Sequence, residues 1–322
     1  MAQSRSFGSG YALASAATFG TSGIFAASLM DSGWSPGATT TLRVTFAALV
    51  LLIPTLIVLR GRFSVLRSAS RHIVLYGALA IAGTQLCFFA AVQYMQPSIA
   101  LLIEFLGPVL LVGWHWAISR KRPHTLTLIG AGLALLGLAF VCGIIGEPLH
   151  PVGVMFGLAA AVGVACYFEL SASVKHEIPP LALAGGGTLV AAVILGLASV
   201  SGLLPFHITT ETTTLIGTEI SVWLVLALLV LIATVAAYTL GIAGARRIGS
   251  TLASFLGYSE VVFAFIWTWL LLGLLPGPMQ WIGGACILLG VVVVKLGQLR
   301  AGEPAAVTQP NPLLEMPEMK SP

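Results

Sequence analysis

The feature that most constrains this chain is a series of long apolar runs, each near the ~20 residues a helix needs to cross roughly 30 Å of hydrocarbon. Ten such runs fit, at about 9–30, 38–59, 72–94, 97–118, 125–145, 151–172, 181–202, 220–243, 250–272 and 280–299. Lipid offers no partner to a free backbone polar group, so the runs must be helices or strands of a closed barrel. They lack period-two alternation, and that decides for helices. Of the 322 residues only 8% are charged and 57% are hydrophobic, with a mean hydropathy of +1.00. Soluble domains carry about 25% charged residues, so most of this surface faces lipid.

The formal charge of +4 is organised for a bilayer rather than for nucleic acid. Arg5, Arg60, Arg62, Arg67, Arg71, Arg120, Lys121, Arg122, Lys175, Arg246, Arg247, Lys295, Arg300 and Lys320 fall on one side if the N-terminus is cytoplasmic. The opposite loops, near 31–37, 95–96, 146–150, 203–219 and 273–279, carry no Lys or Arg. This positive-inside pattern predicts a multi-pass protein of the plasma membrane with both termini in the cytoplasm. Residues 1–8 are then a cytoplasmic N-terminus, and the Pro-rich stretch 300–322 reads as a disordered cytoplasmic tail. The first apolar run is too long for a cleaved signal core. Cys87, Cys142, Cys166 and Cys286 each stand alone in an apolar run without ligand spacing, so they read as packing residues; no metal or other cofactor is expected.

The chain also repeats itself. Ile129-Gly130 through Leu135-Leu136-Gly137 recurs as Ile282-Gly283 through Leu288-Leu289-Gly290, displaced by 153 positions, and Trp114-His115-Trp116 recurs as Trp267-Thr268-Trp269 at the same displacement. Gly10, Gly20 and Phe25 of the first run correspond to Gly153, Gly163 and Phe168 of the sixth. The unit holds five helices, an odd number, so its second copy enters the membrane inverted. The expected fold is an all-α integral membrane protein of ten transmembrane helices in two inverted five-helix repeats, 9–145 and 151–299. Inverted repeats give a carrier two states of similar energy around one central site.

An ionisable group in hydrocarbon costs at least ~2.5–3.5 kcal/mol on insertion scales, so each needs a reason. Arg43 and Glu104 lie about five and seven residues from the same membrane face, roughly 8–10 Å deep, where they could meet. Such a pair is either a structural ion pair or a grip on the charged ends of a zwitterionic solute. Glu260 lies near the middle of the ninth helix. The displacement maps it to Gly107, about one turn deeper than Glu104. It reads either as a neutral hydrogen-bonded residue at a helix interface or, with Glu104, as the carrier of a coupling proton. Glu169 lies near a cytoplasmic helix end, where snorkelling accounts for it. Gln85 and Tyr238 occupy equivalent repeat positions and, with Gln93, Tyr94 and Tyr258, are candidates to line a substrate cavity. Pro108 can kink the fourth helix and free carbonyls there. The paired tryptophans read as interfacial belt residues, and His115 as packed or interfacial.

Intramembrane catalysis needs paired aspartates, a serine dyad or a zinc motif. The chain has one aspartate, Asp31, in a loop, and no HExxH; His72, His124, His150, His176 and His207 lie at run ends or in loops. An enzyme is therefore not expected. The extramembrane loops are too short for a receptor or scaffold.

Taken in order, Arg43, Gly83, Gln85 and Gln93, the stretch Glu104-Phe105-Leu106-Gly107-Pro108, the basic turn Arg120-Lys121-Arg122-Pro123, and Tyr238 through Glu260 resemble the EamA-type carriers of the drug/metabolite transporter superfamily. Within them the chain is most similar to the threonine/homoserine exporter group, over roughly residues 9–299. The resemblance implies a central cavity between the halves and export of a small metabolite, often an amino acid, driven by protons. The chain departs from that pattern where Val261 follows Glu260 in place of the proline common in the family, and where the turns after the fourth and ninth helices lack the usual acidic residue. Drug exporters and exchangers of other metabolites share the architecture.

Overall fold

A computed structural model describes residues 2–61, 63–95, 97–120, 122–142, 150–173, 178–275 and 277–301. Arg62, Lys121, Lys175, Lys320, His176, the stretch 143–149, the tail beyond 301, and the side chains of Arg5 and Cys142 lie outside that description. Among the described residues nine helices are long and apolar enough to span a membrane, and a tenth, Thr125–Val141, is apolar but shorter. We number them in chain order: α1 (Phe7–Asp31), α2 (Pro36–Val58), α3 (Ser64–Ala91), α4 (Ile99–Ser119), α5 (Thr125–Val141), α6 (Pro151–Ala172), α7 (Pro180–Val200), α8 (Val222–Ile248), α9 (Ser250–Leu272) and α10 (Pro278–Gly297). These follow the apolar runs closely. Local chemistry sets the starts. Pro36, Pro151 and Pro180 occupy first-turn positions where a missing N–H costs nothing, and the Ser35 hydroxyl accepts from the Ala38 N–H.

The packing obeys the repeat. α1 lies against α8 and α9, and its counterpart α6 lies against α3 and α4; α2 pairs with its counterpart α7, and α5 with α10. Each first helix has thus exchanged halves. The α5–α10 contact shows the pseudo-twofold at atomic scale. A Cβ added to Gly137 would stand 2.5 Å from the Gly283 carbonyl oxygen, and one added to Gly130 would stand 2.6 Å from that of Gly290, with the reverse pairs at the same distances. The glycines of the repeated motif therefore let the two backbones touch. The helix ends correspond too. α4 is closed by Arg120 and α9 by Gly273, 153 positions on, both left-handed and bonded to the carbonyls of Trp116 and Trp269.

The outward faces are apolar, as lipid requires; α2 alone exposes Phe46, Leu49, Ile53 and Ile57. Trp114 and Trp116 are exposed as belt residues are, whereas Trp267 is half-buried and its indole N–H donates to the Ala17 carbonyl. Loop 203–219 is more than a plain connection. It contains most of a two-stranded antiparallel hairpin, β1 (Thr212–Leu215) and β2 (Thr218–Ser221), turned at Ile216-Gly217 with both φ positive. Thr213 ties the hairpin to α1, donating to the Ser28 carbonyl at 2.6 Å and meeting its hydroxyl at 3.1 Å. Consequently α8 begins at Val222 rather than 220.

Candidate functional site

The regular helical ladder fails at a few places, and they surround one point. α1 is interrupted at Thr21; α3 passes through a π-helical stretch at Tyr76–Gly83 and α8 through one at Leu231–Ala236; α4 breaks at Phe105-Leu106 and α9 at Tyr258. The breaks in α4 and α9 are equivalent in the repeat, and the two π stretches overlap under the same displacement. Irregular backbone within a membrane is tolerated where it is buried in protein or lines a polar cavity.

Such a cavity lies there, about 190 Å³ in volume. Arg43, Gln85, Glu104, Pro108, Tyr238 and Glu260 all line it, so seven helices contribute when α1 and α6 are counted. By position along the helices, Arg43, Gln85 and Glu104 lie in the half away from the basic end, and Glu260 lies near the middle. The half toward the basic end is aromatic: Phe19 packs edge-on to Tyr238 (5.2 Å between centroids), Tyr238 against Tyr167 (5.7 Å), and Tyr167 against Phe168 (4.8 Å).

Arg43 and Glu104 face the same cavity without pairing. The Arg43 Nη1 donates to the Ser22 hydroxyl at 2.9 Å, and its buried Nε has no acceptor among the described residues. The guanidinium nevertheless acts electrostatically on Glu104, Glu260 and Tyr238, and the two carboxyls act on one another. The site is thus one cation among two carboxyl groups, with guanidinium hydrogens left for a guest.

Three candidates lie elsewhere. Gln93 and Tyr94 follow the end of α3 and are exposed; Tyr94 stacks on His150 (5.1 Å) and near Phe156. Tyr258 is 1% exposed and turned inward, its hydroxyl donating to the Phe105 carbonyl at 2.6 Å. Conversely, Ser15, Phe19, Ser22, Tyr167, Phe168 and Ser254 line the cavity although none was a site candidate from the sequence. On α1 a signal was there: Ala12, Ser15, Ala16, Phe19 and Ser22 follow helical i, i+3, i+4, i+7 spacing.

Glu169 also differs from its expected snorkelling role. Its Oε2 accepts from the Ser250 hydroxyl at 2.8 Å and pairs with His115 Nε2 at 2.9 Å, joining α6 to α4 and α9 at the basic end. Cys87, Cys166 and Cys286 are free and half-buried, and no cluster of metal-ligating side chains occurs among the described residues.

Two inverted sets of membrane helices enclosing a small charged cavity define a membrane transporter. The family follows from sequence. Residues 6–143 and 151–296 match the EamA-like transporter family, and the chain belongs to it, within the drug/metabolite transporter superfamily. Over 300 residues it is 26% identical to the uncharacterized inner membrane transporter YicL of Salmonella typhimurium, covering 91% of this chain and 96% of that one. It is 25% identical over 228 residues to the uncharacterized transporter YwfM of Bacillus subtilis, covering 69% and 72% of the two chains. A crystal structure only 21% identical in sequence shares the fold, with a TM-score of 0.76 over 93% of this chain and 99% of its own.

Proposed function

We propose that this transporter exports a small amino-acid-like zwitterion, of the threonine or homoserine type, by proton-coupled alternating access. The observation that carries the reading is Arg43: a guanidinium held by Ser22, unpaired with either carboxyl, beside Glu104 and Glu260 in one cavity. Arg43 receives the solute's carboxylate through charge-assisted hydrogen bonds. Glu104 receives its ammonium, and Glu260 (or Glu104) carries the proton. Gln85 and Tyr238 complete the polar wall, while Pro108 frees backbone at the α4 break. Repeats 9–145 and 151–299 rock about this point. The basic end faces the cytoplasm with both termini, in the plasma membrane; the relative YicL is named as an inner membrane transporter.

The aromatic half of the cavity supports a second solute class. Phe19, Tyr167, Phe168 and Tyr238 offer apolar surface that threonine does not use, so a zwitterion with a larger apolar body, or a drug-like cation of that shape, fits as well. The test is counterflow into liposomes holding the purified full chain and preloaded with an amino-acid mixture, with labelled threonine outside. Protein-dependent uptake competed by homoserine supports the first reading, and competition only by bulkier apolar amino acids supports the second. Absence of counterflow with every amino acid overturns the zwitterion assignment.

A further inference from the structure

Phe105 and Tyr258 are equivalent positions of the repeat, 153 apart, and they touch each other: their rings are 5.7 Å apart and the Tyr258 hydroxyl donates to the Phe105 carbonyl at 2.6 Å. A pair of equivalent residues in contact lies on the pseudo-twofold axis. The chemistry on the two sides of that axis is unequal. In α9 the Tyr258 carbonyl accepts from the N–H of Val261, three residues on, at 3.2 Å. In α4 the residue three on from Phe105 is Pro108, which has no N–H. The N–H groups of Val109 and Leu110 both go to Leu106 instead, each at 2.9 Å. The Phe105 carbonyl is thus left without a backbone donor among the described residues, and the Tyr258 hydroxyl takes the place of the missing proline N–H.

An inverted-repeat carrier reaches its opposite state when the two repeats exchange conformations. After that exchange, position 105 presents its side chain to the carbonyl of position 258. Phenylalanine has no hydroxyl to give, so this hydrogen bond exists in one state and not in the other. We infer that Tyr258 is a positioning residue that biases the transport cycle toward the state seen here, by capping the broken backbone beside Glu104. It does not line the cavity, so it acts on the solute only through α4. The inference rests on the carrier reading and on neither the solute nor the coupling ion.

A neutral buried hydrogen bond contributes a net amount that corresponds to a bias of about 2- to 10-fold. Four full-length chains test it, in a background with Cys87, Cys142, Cys166 and Cys286 replaced by alanine: the parent, Tyr258→Phe, Phe105→Tyr and the double variant. Spin labels at Ser70→Cys and Arg247→Cys report the basic end, and a separate pair at Val152→Cys and Leu272→Cys reports the other end. The ratio of the two distance populations gives the conformational equilibrium. The bond is available in one state in the parent, in neither in Tyr258→Phe, in both in Phe105→Tyr, and in the opposite state alone in the double variant. The ratio is therefore expected to fall about 2- to 10-fold in Tyr258→Phe, by a smaller factor in Phe105→Tyr because the Tyr258 carbonyl already accepts from Val261, and by the product of the two factors in the double. General destabilisation of the fold does not move the ratio of two folded states the same way in both singles and further in the double. Two populations whose ratio is the same in all four chains, or singles that move in opposite directions, overturn the inference while leaving the carrier reading intact. A single distance at both ends in every chain overturns alternation and the inference together.

Discussion

The close contact between α5 and α10 yields a quantitative expectation. A methyl at Gly137 meets the Gly283 carbonyl oxygen at 2.5 Å and both the Cys286 Cβ and the Ile287 N at 2.8 Å, where ordinary contact begins near 3.4 Å. Backbone cannot swing aside as a side chain does, so the helices must part by about 0.9 Å (from 2.5 to 3.4 Å) along this seam. Overpacking of that kind costs about 1–3 kcal/mol. Gly132 lies on the same helix, faces outward and would place its methyl in open space, so Gly132→Ala brings only the helix-propensity gain of up to ~1 kcal/mol. Gly137→Ala and Gly283→Ala strike one contact from its two sides, so the double variant should cost less than the sum. Unfolding midpoints of the purified chain in a fixed detergent should rank Gly132→Ala at or above the parent and Gly137→Ala clearly below it. If Gly137→Ala and Gly132→Ala melt together, the seam is not the tight backbone contact described above.

The cavity residues make separate predictions. Arg43→Ala should weaken solute affinity about 10- to 150-fold, the size of a lost charge-assisted hydrogen bond, with Arg43→Lys intermediate because the ammonium is a point donor rather than a fork; unchanged affinity in a folded Arg43→Ala protein returns that residue to a structural role. Glu104→Gln and Glu260→Gln should leave at least one chain that exchanges solute down its gradient yet no longer accumulates it against one when a pH difference is imposed. Normal pH-driven accumulation in both would sink proton coupling at these sites. At the basic end, Glu169→Ala removes the acceptor of the Ser250 hydroxyl and the partner of His115. Both His115 and Glu169 are partly exposed, so the loss should be about 1 kcal/mol or less, seen as a small drop in melting temperature. Adding His115→Ala should lower it by less than His115→Ala does in the parent, because the two share one interaction.

Much of the fold could be read before any coordinates because the bilayer leaves so few choices. Run length sets the spans, and repeated Gly130 and Gly137 announce the duplication, while the seam they form emerges only from the packing. The charged candidates were legible for a related reason: in hydrocarbon, Arg43, Glu104 and Glu260 stand out by cost alone. Uncharged candidates carry no such signal. Gln93 and Tyr94 were credible by residue type, but the end of the α3 ladder at Ala91 puts them beyond the cavity. Ser15, Tyr167 and Phe168 are chemically indistinguishable from the packing residues around them, and only the approach of α1 and α6 to the centre makes them wall. Nor could composition foretell that Arg43 would take Ser22 rather than Glu104, since equal depth in a membrane does not fix the direction of a long side chain.

The same limit explains why Val261 reads in sequence only as a departure. Set against Pro108, it supplies an N–H that its counterpart lacks, so the α9 break satisfies its own carbonyl and the α4 break does not. A symmetric pair of prolines would leave two open carbonyls beside two carboxyl-bearing segments, and only a tyrosine at both axis positions would then leave neither state with a hydrogen bond the other lacked. With one proline, one tyrosine and one phenylalanine at the axis, the repeat keeps its shape but loses its energetic symmetry. That places the preference between states in the backbone next to Glu104, with the Tyr258 side chain itself behind the cavity wall. Resting conformation can therefore be altered apart from the cavity wall through Tyr258 and Val261, whereas Phe105 and Pro108 belong to the wall and to the axis at once, so changing either alters recognition and resting conformation together.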